Sequence, residues 1–290
     1  MINTIDCIQK EHHNKHYQQI LREGYGNYDG FINPNSIWYW MHTYCLEQLD
    51  YFFRKIPPSY FLTVGDGYCG REAGFVKRYG HRVHASDIET CLIEVAKDWG
   101  VIDEFSQQDM NQLSFGDNTF DYALVKESLH HLSRPYHGLY EMLRVSKKGA
   151  ILIEPNGDNE KKYAFSGFEE TGNYCFAFSS HELIKIGLSL GCRYYLVTYS
   201  IQFFGQHNDA NIAAGKIEEE KSRLRELDRK LPLPYKPLLI FIFLKNKDDY
   251  DRLKDGLPRH FVPVEVRGAG ATSVVFGNQP PGTPFYFPSV

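Results

Sequence analysis

Between Ser59 and about Ser200, short β-type runs alternate with helical patterns, and this alternation restricts the possible folds more than any other feature of the chain. Strand–helix–strand repeats bury their apolar faces by forming a mostly parallel sheet with helices on both sides. Strands are expected at 60–64, 82–86, a short run leading to Asp109, 120–125, 149–153 and 193–198. Helices are expected at 71–79, where Gly80 stops the pattern, at 90–98, from near Pro135, and at 182–190 behind the capping serines Ser179 and Ser180. A last apolar run, Leu238 to Leu244, is far short of the roughly 20 residues that span a bilayer. It reads as a buried seventh strand. The expected fold class is therefore α/β, a seven-stranded, mostly parallel sheet with helices on both faces.

The flanks differ in character. Residues 1–58 carry a dense aromatic load, including Trp38, Trp40, Tyr44, Phe52 and Phe53, with Trp38, Met41, Cys45 and Leu49 at helical spacing. They are expected to form a helical N-terminal cap, one or two of whose aromatics wall a pocket. The core is assigned to 59–247. Within it, 201–236 is a charged helical insertion before the last strand, with Ile217, Leu224, Leu227 and Leu231 on one stripe. Glu219/Arg223 and Glu226/Lys230 stand at i, i+4 spacing. Residues 248–290 contain Gly-Ala-Gly-Ala and Pro-Pro-Gly and are expected to be an irregular extension.

Charge narrows the partners. With 32 Lys+Arg against 36 Asp+Glu and no basic stripe, nothing in the chain is arranged to neutralise phosphates, so no nucleic-acid partner is expected. Six scattered cysteines without a Cys-x-x-Cys pair read as reduced thiols, and the first residues lack the apolar run of a signal peptide. A cytoplasmic protein without a membrane partner is expected. Glu11-His12-His13-Asn14-Lys15-His16 reads as a solvated helix face, and no metal site is expected.

The strongest local signal is Val64-Gly65-Asp66-Gly67-Tyr68-Cys69-Gly70, lying between a strand and a helix. Glycines allow a tight turn and close approach of a ligand to the backbone, and the following helix start presents unpaired N–H groups. Asp87, twenty residues beyond Gly67 at the end of the next strand, is placed to accept hydrogen bonds from a ribose diol. The pair indicates an adenosine-containing ligand, which leaves both NAD and S-adenosylmethionine open.

Further along, Gln108-Asp109-Met110 follows the third strand. Asp117-Asn118-Thr119-Phe120-Asp121 leads into the fourth, and Lys126-Glu127-Ser128-Leu129-His130-His131 with Arg134-Pro135 leaves it. Glu141-Met142-Leu143-Arg144-Val145 and Ile153-Glu154-Pro155 complete the series. In this order and spacing the chain resembles the class I S-adenosylmethionine-dependent methyltransferases, in particular their small-molecule branch, over about 59–200 plus the strand at 238–244. The resemblance implies a Rossmann-like sheet with the last strand antiparallel beside the fifth. It implies S-adenosyl-L-methionine as cofactor, held by Gly65, Asp66, Gly67, Tyr68, Gly70, Asp87, Ile88, Asp109, Met110 and Lys126. The family's usual acidic residue two places before the first glycine is Thr63 here, and Asp66 is the candidate to replace it in holding the methionine amine.

Methyl transfer from a sulfonium is an in-line displacement that depends on placing the nucleophile on the methyl carbon. A hydroxyl acceptor also gains from a base of near-neutral pKa, and His131 or His130, just after the fourth strand, is the catalytic candidate. Glu127 and Glu154 are weaker candidates. The expected function is methylation of a small molecule or glycan acceptor, more readily at oxygen than at nitrogen or carbon. Two alternatives stand beside it. One is an NAD(P)-dependent oxidoreductase, disfavoured because Tyr51/Lys55, Tyr122/Lys126 and Tyr250/Lys254 all lie where a catalytic Tyr-x-x-x-Lys pair does not belong. The other is a methyltransferase-like binding protein without turnover.

Overall fold

The structure, a computed structural model, describes residues 2–22, 31–158, 167–168, 174–202, 216–267 and 273–276. In chain order the elements are α1 (Ile2–Arg22), α2 (Ile37–Glu47), α3 (Asp50–Lys55), β1 (Tyr60–Val64), α4 (Arg71–Lys77), β2 (Arg82–Asp87), α5 (Cys91–Asp98) and β3 (Glu104–Gln107). There follow β4 (Phe120–Lys126), a 3₁₀ turn (Leu129–His131), α6 (Pro135–Val145), β5 (Ser146–Pro155), β6 (Gly167–Phe168), β7 (Tyr174–Cys175), α7 (Ser180–Ser189) and β8 (Tyr194–Ser200). The chain continues through α8 (Ile217–Lys230), β9 (Leu238–Leu244), α9 (Lys247–Lys254), β10 (Val262–Arg267) and β11 (Ser273–Phe276).

The main sheet runs β11-β10-β8-β9-β5-β4-β1-β2-β3. β1 pairs in parallel with both β2 and β4, so the strand order reverses at β1 and opens a crevice beyond its carboxyl end. β9 lies antiparallel between β5 and β8, as the resemblance implied. All seven of its residues are buried, which explains its unbroken apolar run: a strand covered on both faces has no solvated side to alternate toward. Gly149 of β5 is obligatory beside it, because a Cβ there would stand 2.0 Å from the Phe243 carbonyl oxygen.

Two apolar layers cover the sheet. On one face, Leu46, Phe52, Phe53, Val76 and Leu92 from α2 to α5 pack against Phe61, Tyr122 and Ile151. On the other, Leu139, Met142 and Leu183 from α6 and α7 pack against Leu62, Ala123 and Phe241. Local chemistry sets the helix starts. Ser36 accepts from the backbone N–H groups of Trp38 and Tyr39, and Ser179 with Glu182 forms a reciprocal capping box on α7.

Four expectations are corrected. The sheet has nine strands, not seven, and residues 248–290 are not irregular throughout: α9 and two strands form there. β10 pairs antiparallel with the outer edge of β8, whose backbone groups would otherwise be unpaired, and β11 pairs with β10. The buried face of α8 keeps only Ile217 and Leu224 of the expected stripe. Leu227 is 53% exposed and Leu231 37%, whereas Lys221, Leu224 and Asp228 are buried. The Tyr44 hydroxyl donates to Asp228 at 2.8 Å and Lys236 pairs with it at 2.8 Å, turning that side of the helix inward. Arg223 pairs with Glu220 rather than Glu219, while Glu226–Lys230 forms as spaced. Of the stretch 201–236, residues 203–215 lie outside the described residues.

Candidate active site

The main cleft, about 900 Å³, opens beyond the carboxyl ends of β1 to β4, at the reversal of strand order. Gly65 begins its floor with φ +71°, and a Cβ there would lie 2.4 Å from the Ser128 Cβ. Only glycine allows both the backbone conformation and the approach. Ser128 completes this crossing, its hydroxyl donating to the Gly65 carbonyl at 2.9 Å.

Not every loop residue of the sequence reading meets the cleft. Gly65 and Tyr68 line it, whereas Asp66, Gly67 and Gly70 do not. Asp66 is turned into the start of α4, where its oxygens accept from the backbone N–H of Glu72 (3.1 Å) and Ala73 (2.8 Å). Thr63 donates its hydroxyl to the same carboxylate at 2.8 Å. The carboxyl of Asp66 is thereby spent on ordering the loop and helix start, so it does not replace the missing acid. Gly67 lies under α1: a Cβ would stand 2.3 Å from the Tyr17 hydroxyl. Gly70 faces Ile102 and Ala85.

Charged side chains missed by the sequence reading occupy the adjoining floor. Arg71 and Glu72, both buried, form an ion pair through Nη2 and Oε1 at 2.9 Å. Burial opposes ionisation of Glu72, but the Arg71 guanidinium, a hydrogen bond with Asp66 and the Lys126 ammonium together outweigh it and hold the carboxyl well below its ordinary value. Lys126, buried, and Glu127, half-buried, both named from the sequence, make a second pair, and there too attraction overcomes burial, keeping Glu127 below its ordinary value. Glu127 adopts φ +49°, rare for a residue with a side chain. Two charged residues directly after a glycine loop were a usable signal for Arg71 and Glu72.

At the other end, Asp87 terminates β2 with Ile88 beside it, and both line the cleft. Asp87 accepts from the Glu89 N–H at 3.0 Å, and burial pushes its carboxyl up to about 7. Asp109 and Met110 line the same wall; the Asp109 carboxylate accepts from the Asn111 N–H at 2.8 Å, closing a local turn.

The 3₁₀ turn brings the two histidine rings together, with centroids 3.9 Å apart, but gives them different surroundings. His130 is buried, its Nδ1 2.7 Å from Glu154, which also accepts from the N–H groups of Ser128 (3.1 Å) and Leu129 (2.9 Å). Glu154 is therefore held inside the fold. His131 lines the cleft, with Nδ1 3.5 Å from the Cys175 sulfur.

The roof comes from α1 and the cap. Tyr17, Phe31, Trp38 and His42 line the cleft, and so do His13 and His16, which do not simply face water as expected of that stretch. His16 Nε2 and the Tyr68 hydroxyl are 3.1 Å apart, joining α1 to the glycine loop. Nothing local in the sequence signals that contact. Of the three Tyr-x-x-x-Lys pairs, only Lys126 has a place on the cleft wall.

No helix among the described residues is long and apolar enough to cross a membrane. A family described as a methyltransferase domain matches residues 62–153. A malonyl-[acyl-carrier protein] O-methyltransferase of Buchnera aphidicola is 25% identical over 142 residues, a span covering 48% of this chain and 56% of that protein. The match thus takes in little more than half of the relative's length. Among solved structures, an S-adenosylmethionine-dependent methyltransferase of Archaeoglobus fulgidus is similar at TM-score 0.48 and 16% identity, covering 71% of this chain and 94% of its own. A 1,6-didemethyltoxoflavin-N1-methyltransferase of Burkholderia thailandensis, solved with S-adenosylhomocysteine, is similar at TM-score 0.46 and 14% identity, covering 85% and 91%.

Proposed function

The chain carries a class I S-adenosylmethionine-dependent methyltransferase domain, and from that premise we propose that it transfers the methyl group of S-adenosylmethionine to an oxygen of a small molecule or sugar. The observation that carries this reading is a buried carboxylate, Asp87, at the end of β2 in the same cleft as the Gly65 turn. A carboxylate in that position accepts the two ribose hydroxyls of adenosine. Ile88, Asp109 and Met110 flank the adenine on this reading. The methionine end, a zwitterion, meets the Arg71–Glu72 and Lys126–Glu127 pairs, which offer both signs of charge next to Tyr68.

The cleft is large enough to take an acceptor beside the cofactor, and Trp38 and Phe31 supply flat apolar faces for it. His131 is assigned as the base that receives the acceptor's proton as the methyl is transferred. His130, tied to Glu154, positions the turn. Oxygen is favoured because histidine has the basicity to assist a hydroxyl at neutral pH, and the Buchnera relative is by name an O-methyltransferase. Six free cysteines favour a reducing, cytoplasmic setting.

The pH dependence of binding tests the Asp87 assignment. Ribose hydroxyls donate best to the ionised carboxylate, so binding draws the proton off a group that holds it up to about pH 7. Affinity for S-adenosylhomocysteine should rise with pH, weakening below pH 7 by at most about tenfold per unit and levelling above it. Asp87→Asn should bind weakly with a flat profile over this range. Calorimetry from pH 5.5 to 8.5 decides the matter; an unchanged wild-type slope in Asp87→Asn would remove Asp87 from the ribose site.

A further inference from the structure

We propose that His130, His131 and Cys175 form a binding site for a soft divalent cation such as zinc at the edge of the cleft. Their ligand atoms all lie within 4.8 Å of one another. The cluster does not depend on side-chain placement alone, since the Phe176 N–H donates to the His130 carbonyl at 3.2 Å. That backbone bond brings β7, and Cys175 with it, against the 3₁₀ turn. Cys175 Sγ and His131 Nδ1 are 3.5 Å apart. Zinc bonds of about 2.0–2.1 Å to nitrogen and about 2.3 Å to sulfur, at the tetrahedral angle, span an N···S edge of about 3.5 Å. The pair is thus already at chelating distance.

Glu154 adds a second, independent feature. Its Oε2 lies 2.7 Å from His130 Nδ1, so an imidazole that donates there presents its lone pair at Nε2. A carboxylate behind a histidine is how metal-ligating imidazoles are oriented and made more basic. Two imidazoles and a thiolate select zinc, cadmium or cobalt over magnesium or calcium. Three protein ligands leave one coordination position for water or an acceptor atom. On binding, the Cys175 thiol loses its proton to solvent, so affinity rises with pH.

The site itself stands on these contacts alone. Its consequence rests on His131 being the base: a cation that takes up the His131 lone pair removes it from catalysis, and zinc acts as an inhibitor. The test adds Zn²⁺ or Co²⁺ to the full chain and reads binding by competition with a chromogenic chelator and by the thiolate-to-cobalt charge-transfer absorption. One equivalent is expected, with that absorption present. Cys175→Ser should lose the absorption and weaken zinc by more than the roughly 10–100-fold typical of losing a group that only orients a ligand, while keeping basal methyl transfer. His131→Ala should show the same loss of metal. Wild type without stoichiometric binding, or Cys175→Ser binding zinc as wild type does through the histidines of α1, would overturn the site. Stoichiometric binding with no inhibition of turnover would leave the site standing and remove His131 as the base.

Discussion

His131→Ala should lower turnover by about 10²–10⁴-fold while the affinity for S-adenosylhomocysteine stays close to wild type. His131 is the member of the pair that lines the cleft, so its loss removes the acceptor's proton acceptor without touching Asp87 or the floor. His130→Ala acts differently. It strips Glu154, 1% exposed, of its imidazole partner and leaves a buried carboxylate with only two backbone donors. Its main effect should be on stability, with a smaller effect on turnover. Single-turnover rates across pH 6 to 9 separate the two. If His131→Ala retained wild-type rates throughout, positioning of the acceptor would account for the catalysis, and His131 would be a wall residue.

Glu72→Gln is expected to be the most destabilising single change at the site, by about 3–5 kcal/mol. The side chains of both Glu72 and Arg71 are only 6% exposed, so removing the carboxylate leaves a guanidinium out of water without its counter-charge. Denaturant unfolding measures this directly. The same variant distinguishes a structural pair from a ligand-binding one. S-adenosylhomocysteine carries the zwitterionic end, whereas 5′-methylthioadenosine does not. Glu72→Gln should weaken the first far more than the second. Equal weakening of both would assign the Arg71–Glu72 pair to folding alone.

The parallel half of the fold was legible in sequence because its signals are local. Strand–helix alternation, the Gly80 stop, the Ser179–Glu182 cap and the apolar run of β9 each depend on neighbours a few residues apart. The extra strands were not, because β10 forms by pairing with the exposed edge of β8, close to seventy residues earlier in the chain. The α8 stripe misled for a related reason: Tyr44 and Lys236, both distant in sequence, draw Asp228 inward and leave Leu227 in water.

At the site, Asp87 and His131, picked out by position, and Ile88, Asp109, Met110 and Lys126, implied by the family resemblance, all line one cleft. Residues inside the glycine loop were less so. Asp66 and Gly65 stand side by side in sequence, yet one is turned into α4 and the other forms the floor. The difference lies in which way a single peptide turns, and spacing does not record that. The roof was legible only in part: an aromatic of the cap was expected to wall a pocket, and Trp38 lines the cleft, but Tyr17 and His16 meet the loop across about fifty residues.

On the proposed function this cleft holds S-adenosylmethionine. Isothermal calorimetry of the intact chain against S-adenosylmethionine, S-adenosylhomocysteine and NADH tests it most directly. One site with a dissociation constant on the order of micromolar is predicted for the sulfur ligands, near −8 kcal/mol, with no heat from NADH. Binding of NADH, with no heat from either sulfur ligand, would contradict it.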